Sequence, residues 1–437
     1  MKTQFLKPLV AGLLAGLGLA GAANAQKAEV IHWWTSGGEA AAIKEFADAY
    51  TKAGGTWVDT PIAGGGGAQA RTVMANRTMG GDPPTAAQYN YGRQYEEIIK
   101  EGLLNNLDDV AAKGNWDKLL PEKIKNAVKV NGKYFAVPVN LHNENWVWYN
   151  KAVLAKAGAK EPTNMDEMFA AMDKLKGTGV TPLALGGQDL YFKTFKDKDT
   201  TNAQFRKAVE TFKKLKGYVD PGSPGRDWNL ATGGQDLFMK TFKDKDTANP
   251  QFRKAVETFK KLKGYVDAGS PGRDWNLATG MVIEGKTGFQ MMGDWAKGEF
   301  VNAKKVAGTD YGCFMAGGPK MPYTIGGDVF VFPKSKSKET DAAQKKLAEM
   351  MISPAIQVAF NNKKGSIPIR TDVDTSKMDV CAQAGVQAVK EGRLLQSDNE
   401  LLSPDAKGAY EDVISKFWNS DQSVDDAVKA VGVALKR

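Results

Sequence analysis

Tryptophans stand beside carboxylates and amides at several breaks along this chain of 437 residues. A pyranose needs both kinds of side chain, because aromatic planes cover its C–H face and planar polar groups pair with its hydroxyls. The pattern therefore indicates a site for a small polar ligand with an apolar face. The candidate groups are Trp33 and Trp34 with Glu39, Gln88 with Asn90, His142 with Glu144, Trp275 with Asp274 and Asn276, and Asp294 with Trp295.

Each candidate also has a structural interpretation, which the sequence leaves open. Neighbours in a strand point to opposite faces, so if Trp33 and Trp34 are both extended only one of them faces a cleft. Glu39 can instead stabilise the start of a helix, and Asp294 can cap the helix that follows it. His142 can equally be a structural imidazole.

Strands and helices alternate in the part of the chain that must position these residues. Short apolar strands are predicted at 29–33, at 56–62 and after Pro84, each followed by an amphipathic run. Further along, a helix is predicted over 164–175 and a strand over 287–292, which ends just before Asp294. The alternation favours a mostly parallel α/β sheet, and ligands bind beyond the C-terminal strand ends of such sheets.

Composition excludes several classes of protein. At roughly 150 residues per domain, the length predicts two or three domains. The hydrophobic share of 42% and charged share of 25% are those of globular proteins, not of disordered or polytopic membrane chains. The net charge of +9 comes without a basic block interleaved with aromatics, so we expect no nucleic-acid partner.

Metal and cofactor sites find little support in the sequence. Two His and two Cys cannot make a zinc site of the common spacings. The run Gly64-Gly-Gly-Gly67 precedes a helix but lacks the Lys-Ser/Thr of a phosphate-binding loop. We expect no metal, no nucleotide and no cofactor.

Residues 1–25 have the pattern of an export signal. Lys2 and Lys7 precede an apolar run, and Ala23-Asn-Ala25 forms a small-residue cleavage site. The run is shorter than the roughly 20 apolar residues that span a membrane. We therefore expect cleavage after Ala25 and a mature chain free in an oxidising compartment, where its two cysteines can oxidise.

An internal duplication interrupts the chain. Residues 186–232 recur as 233–279, and only five positions differ between the copies. Two copies are too few for a solenoid, so the repeat is a duplication whose identical apolar helix faces compete for one docking groove. We expect the early part of the first copy to dock and its late part to form an extra hairpin. The second copy runs directly into Asp294, so we expect its Trp275 to build the site instead of Trp228 of the first copy.

Several motifs together resemble one family. They are His32-Trp-Trp-Thr-Ser-Gly-Gly-Glu39, Ala63-Gly-Gly-Gly-Gly67, Ala136-Val-Pro-Val-Asn140 with Asn145-Trp146, Met292-Gly-Asp-Trp-Ala-Lys297 and Lys364-Gly-Ser-Ile-Pro-Ile-Arg370. This set resembles the periplasmic sugar-binding proteins of ABC importers, most closely those that bind glucose. The likeness covers about 29–188 and 264–381. It implies an α/β, two-lobe periplasmic-binding-protein fold with a ligand cleft between the lobes.

The resemblance also implies a domain organisation. Residues 1–25 are then the signal peptide, 26–140 mainly the N-terminal lobe, and 141–300 mainly the C-terminal lobe with the repeat. Residues 301–437 supply crossing segments and the remainder of both lobes. The resemblance further implies a disulfide between Cys313 and Cys381. The implied sugar contacts are Trp33, Trp34, Glu39, Gln88, Asn90, Trp275 and Asp294, with His142 and Asp328 as further candidates.

The function implied is binding without turnover. The protein captures a monosaccharide, with glucose favoured, in the periplasm and presents it to the membrane permease subunits of an ABC importer, and we expect it to act as a monomer. Two alternatives stay open. One is a secreted glycoside-active enzyme that uses two carboxylates, drawn from Glu39, Glu144, Asp294 and Asp328. The other is a binding module that the duplication has impaired.

Overall fold

The structure is a computed structural model that describes residues 26–63, 67–186, 237–270 and 273–437. The predicted signal segment 1–25 and the first repeat copy beyond Gly186 lie outside these ranges. In them the strands are β1 Lys27–His32, β2 Thr56–Pro61, β3 Ala86–Asn90, β4 Lys129–Val130, β5 Lys133–Tyr134, β6 Ala136–Pro138, β7 Trp146–Asn150, β8 Thr181–Ala184, β9 Thr287–Met292, β10 Tyr311–Met315, β11 Tyr323–Ile325, β12 Asp328–Val331 and β13 Leu394–Gln396.

The helices of the same ranges surround these strands. They are α1 Gly37–Lys52, α2 Ala68–Met79, α3 Glu96–Lys100, α4 Asp108–Lys113, α5 Trp116–Leu119, α6 Glu122–Val128, α7 Lys151–Lys156, α8 Met165–Leu175, α9 Pro250–Leu262, α10 Trp275–Ile283, α11 Ala296–Asn302, α12 Lys338–Met351, α13 Pro354–Lys364, α14 Val380–Lys390, α15 Asp398–Leu401, α16 Pro404–Asn419 and α17 Val424–Ala434.

Five strands form the first sheet, in the order β2-β1-β3-β12-β6. β1 runs parallel to β2 and β3, whereas β12 runs antiparallel to β3 and β6. The inner strands are continuous apolar runs; Val329, Phe330 and Val331 are all fully buried. Such runs are typical of a sheet covered by helices on both faces.

Four strands form the second sheet, in the order β10-β7-β9-β8. Only the β8–β9 pair is parallel; β7 runs antiparallel to both β9 and β10. The expectation of a mostly parallel sheet is therefore wrong: both sheets are mixed. The cause is the path of the chain, which crosses from β6 in the first sheet to β7 in the second and returns from β10 to β12. Strands that follow these crossings enter antiparallel to a neighbour.

The second repeat copy supplies the helix that packs against the C-terminal helices. Phe252 and Phe259 of α9 are buried, and the Phe259 ring lies 4.9 Å from that of Trp418 in α16. The early part of this copy, helical at 237–242, also packs inward, with Phe242 5.2 Å from the Tyr410 ring. Both described parts of the second copy therefore pack inward, joined by a short connection between 242 and α9. The early part of the first copy, which we expect to dock, lies outside the described residues.

Glycines bring helices of the two sheets into close contact. Gly38, in the first turn of α1, faces Gly298 of α11, the helix that follows β9. A Cβ at Gly38 would lie 2.4 Å from the carbonyl carbon of Gly298, which is closer than a Cβ atom and a non-bonded backbone atom can approach. The Gly38 N–H also donates to Oε1 of Glu299 at 2.8 Å. Only glycine permits this approach of the two backbones.

We expect Gly38→Ala to lower the free energy of unfolding by about 1–3 kcal/mol, because the new methyl group meets backbone that cannot move independently. Gly408, inside α16, has no heavy atom within 4 Å of where its Cβ would be. Gly408→Ala should therefore raise the free energy of unfolding by about 0.5–1 kcal/mol through helix propensity. Urea denaturation of both variants checks this, and similar values for the two would contradict it.

Candidate functional site

Asp328 is the centre of a polar group at one edge of the first sheet. It begins β12 directly opposite Asn90, the last residue of β3. Its Oδ1 accepts hydrogen bonds from Nε2 of Gln88 at 2.8 Å and Nδ2 of Asn90 at 3.2 Å, and its Oδ2 accepts from Nδ2 of Asn140 at 2.8 Å. The structure thus brings together three of the predicted site residues, at the C-terminal ends of the parallel strands, where ligands bind in α/β sheets.

The two tryptophans after β1 separate as strand alternation predicts. Trp33 is partly buried, and its backbone N–H donates to Oε1 of Gln88 at 3.1 Å. This bond connects Trp33 to the Asp328 group, by which we mean Asp328 with Gln88, Asn90 and Asn140. Trp34 is 1% exposed and packs against the rings of Phe330 and Phe360. The resemblance implied a sugar contact at Trp34, but its ring lies in the core and is 1% exposed.

Trp33 lies against the start of α2. Gly67 adopts a φ of 92°, and a Cβ there would lie 2.4 Å from Cε3 of Trp33. The Arg71 guanidinium lies 5.6 Å from the Trp33 ring centroid. A glycine at position 67 therefore leaves room for the indole at the edge of the sheet.

Glu39 is held by a lysine that the sequence analysis did not predict. Glu39 lies in the first turn of α1, and Ser36 caps this helix by accepting from the Glu39 N–H. The Glu39 side chain also accepts from Nζ of Lys364 at 3.2 Å, and both side chains are buried. The ammonium lies between the rings of Trp34 and Trp295, 5.6 and 5.7 Å from their centroids. The only sequence signal for Lys364 was its place in the motif that begins at that residue.

Asp294 follows β9 and is fixed from two directions. Its N–H donates to the carbonyl oxygen of Asn143 at 2.9 Å, and its Oδ2 accepts from the Asn143 N–H at 3.0 Å. The hydroxyl of Tyr323 donates to the same Oδ2. Burial raises the pKa of Asp294 to about 7, although the Tyr323 hydrogen bond and the Asn143 N–H favour its ionised form. The side chain does not cap α11, whose N-cap position is Trp295.

His142 lies between these two polar groups, on the segment that crosses from β6 to β7. Its Nε2 is 3.9 Å from Oδ2 of Asp328, and its ring meets that of Trp295 edge-on at 5.1 Å. The backbone N–H donates to Gly326 O at 3.0 Å. His142 is thus placed where the two sheets meet.

Trp275 begins α10 at the same edge of the second sheet as Asp294. Its carbonyl oxygen accepts from Nε2 of Gln290 in β9 at 2.9 Å. A Cβ at Gly186, which follows β8, would lie 2.8 Å from Cα of Trp275. The ring is partly exposed. Trp228, its counterpart in the first copy, lies outside the described residues.

The carboxylates act in this arrangement as hydrogen-bond acceptors and as an ion-pair partner. Glu39 pairs with a lysine, and Asp328 accepts from three amides. Within the described ranges, no three His, Cys, Asp or Glu side chains are grouped to hold a metal ion, and no helix is long and apolar enough to cross a membrane. What the site offers is a set of planar polar groups and tryptophans at two facing sheet edges.

Comparison with known families identifies the family of this chain. Residues 34–358 match the bacterial extracellular solute-binding proteins. The chain belongs to this family. A probable sugar-binding periplasmic protein of Brucella suis is 40% identical over 463 residues, which cover 100% of this chain and 98% of that protein.

Solved structures agree on the fold. A chitin oligosaccharide binding protein superposes with a TM-score of 0.71 at 18% identity, over 94% of this chain and 98% of its own. The bacterial solute receptor AcbH, which has an exclusive substrate preference for β-D-galactopyranose, gives 0.69 at 19% identity, over 94% and 96%. The architecture is the two-lobe α/β fold implied by the resemblance. We call the first sheet with its helices the first lobe, and the second sheet with its helices the second lobe.

Proposed function

We propose that this solute-binding protein captures a monosaccharide, most favourably glucose, in the periplasm and delivers it to the membrane permease of an ABC importer. It performs no chemical step on the sugar and uses no cofactor. One observation carries the proposal: the Asp328 group of the first lobe and Asp294 of the second lie at the sheet edges that meet at His142. Partly exposed tryptophans, Trp33 and Trp275, stand at the same edges.

This arrangement suits a single pyranose. Asp328 and Asp294 accept hydrogen bonds from hydroxyls, Gln88 and Asn90 both donate and accept, and an indole covers the apolar face of the ring. The galactopyranose preference of AcbH shows that a chain of this fold can hold one sugar ring. Glucose itself is supported by the sequence motifs alone.

In this proposal, the permease recognises the form of the protein that has closed over the sugar. Contacts between the lobes, such as that of Gly38 with Glu299, belong to the closed arrangement in this proposal. A sugar that binds both lobes shifts the population toward that state, because its affinity for the closed state is higher. Residues 26–140 then belong mainly to the N-terminal lobe and 141–300 mainly to the C-terminal lobe. Residues 1–25 direct export, and the protein acts as a monomer.

A thermal-shift assay on protein purified from the periplasm tests the proposal. Glucose at about 100 times its Kd should stabilise the native state by about 2.7 kcal/mol. Galactose and maltose serve as comparisons. A larger shift with maltose would overturn the monosaccharide assignment, and a new sugar product in the mixture would indicate an enzyme. No shift with any sugar would indicate a module that the duplication has impaired.

The duplication provides a matched pair of variants for the aromatic contact. Trp275→Ala should weaken glucose binding by about tenfold or more, because an indole platform is lost. Trp228→Ala changes the same residue within an identical local sequence, Asp-Trp-Asn, and should leave the affinity nearly unchanged. Titration calorimetry measures both without relying on tryptophan emission. The assignment is wrong if Trp228→Ala is the more damaging change, and equal damage would mean that both copies contribute to the cleft.

A further inference from the structure

Unpaired amide groups collect on the segment that crosses into β7. Asn143 and Asn145 are 0% and 2% exposed, and neither is among the sugar contacts that the resemblance implied. Among the residues that the structure describes, none pairs with Nδ2 of Asn143 or with either polar side-chain atom of Asn145. Buried amides are almost always paired, and a bound ligand can supply the missing partner.

These amides stand at the ligand edge of the second lobe. Trp146, the neighbour of Asn145, pairs with Met292 at the end of β9, and the carbonyl oxygen of Asn145 accepts from the Ala316 N–H at 2.9 Å. Asn143 exchanges two hydrogen bonds with Asp294. The second carboxylate oxygen of Asp294, Oδ1, is also buried and pairs with none of the described residues. Three incompletely paired side chains therefore lie on the two segments that adjoin the paired ends of β7 and β9.

The backbone holds the two amides in a fixed relation. The Asn145 N–H donates to Oδ1 of Asn143 at 2.7 Å. Of the Asn143 amide, the donor Nδ2 therefore remains to be paired. Asn145 retains a donor and an acceptor, and Asp294 an acceptor. Vicinal hydroxyls of a pyranose both donate and accept, so a sugar can satisfy all three side chains together.

We propose that Asn145, supported by Asn143, binds sugar hydroxyls beside Asp294 and contributes to the choice of sugar. The inference rests on the proposed function and names further contacts of the same site. Because the amide atoms are covered in this structure, the sugar must reach them while the lobes are apart. Closure then encloses amides that are already paired.

The Asn145→Leu variant separates this role from a structural one. Since the Asn145 amide pairs with none of the described residues, an apolar side chain of similar size should leave the thermal midpoint equal or higher. Glucose affinity should fall by about tenfold or more, because hydroxyls lose their partners. If the amide instead holds a structural water, the midpoint falls and the affinity is kept, which would overturn the inference.

Two further variants keep the test decisive. Asn145→Ala cannot overpack, so it should lose affinity as Asn145→Leu does even if leucine does not fit. Asn361 is equally buried but fully paired, since its Nδ2 donates to Val139 O and Gln357 O and its Oδ1 accepts from Ser366. Asn361→Leu should therefore lower the midpoint, the opposite of the result expected at Asn145.

Deoxy sugars identify the hydroxyl. Among 2-, 3-, 4- and 6-deoxyglucose, at least one should bind the wild-type protein about tenfold more weakly than glucose does, and Asn145→Leu should discriminate much less against that same sugar. A wild-type protein that binds no monosaccharide would reject the proposed function itself. A wild-type protein that binds glucose, with Asn145→Leu within about twofold of it, would reject only this inference.

Discussion

Asp294→Asn should weaken glucose binding about tenfold to a hundredfold at pH 8. The substitution keeps the size and planarity of the side chain but removes its charge. Hydrogen bonds to a charged group contribute about 1.5–3 kcal/mol, roughly twice those to a neutral one. None of the described residues pairs with Oδ1 of Asp294, which leaves this atom for a sugar hydroxyl. Calorimetric titration of both proteins measures the difference.

The same variant should remove a pH dependence of binding. Burial raises the pKa of Asp294 to about 7, so the sugar-free wild type holds a mixture of protonated and ionised carboxyl groups near neutrality. The ionised form is the better acceptor, and wild-type affinity should therefore rise between pH 6 and pH 8 and level off above. The asparagine variant should show a flat profile over this range.

Stability should respond in the opposite direction. The ordinary pKa of an aspartate is 3.8, and that of Asp294 is raised to about 7 in the native state. Between these two pH values the native state therefore binds more protons than the unfolded chain. The Asp294 contribution to wild-type stability therefore falls as pH rises through this window and stays low above it. Urea denaturation at pH 5 and pH 8 should show that Asp294→Asn lacks this fall. Asp48→Asn, an exposed change on α1, should behave as wild type, and an unchanged pH slope in Asp294→Asn would contradict the assignment.

Local structure could be predicted well from the sequence. Strand 287–292 has the predicted bounds, and the helix predicted over 164–175 is α8, with Asn164 as its cap. These features depend on periodicity and capping within a few residues. The direction of the strands could not be predicted this way, since it depends on where the chain crosses between lobes.

The partners of the candidate residues were beyond prediction from patterns. Gln88 meets Asp328 across 240 positions, and Glu39 meets Lys364 across 325. No local periodicity specifies which distant polar side chain satisfies another. Strand alternation predicted that Trp33 and Trp34 would separate, but which of the two lies in the core depends on Phe330 and Phe360, far away in sequence.

Loss of the Cys313–Cys381 disulfide should be the most damaging change to stability. The structure contains this bond, as the resemblance implied, and it joins β10 at the edge of the second sheet to the start of α14. It closes a loop over a separation of 68 residues, for which chain entropy predicts a stabilisation of about 4 kcal/mol. Replacing both cysteines by alanine should lower the free energy of unfolding by that order.

The effect should extend toward the site through α14. Gly385 of this helix packs on Tyr323 and Ile367; a Cβ there would lie 2.9 Å from Cε2 of Tyr323, whose hydroxyl donates to Asp294. Loosening α14 should therefore weaken glucose binding less than it lowers stability, because the hydrogen bonds of Asn143 still hold Asp294 in place. Urea denaturation with and without reductant separates the causes: reductant should destabilise the wild type and leave the double-alanine variant unchanged. Denatured, unreduced protein from the periplasm should show no free thiol, and two reactive thiols would refute the bond in the exported protein.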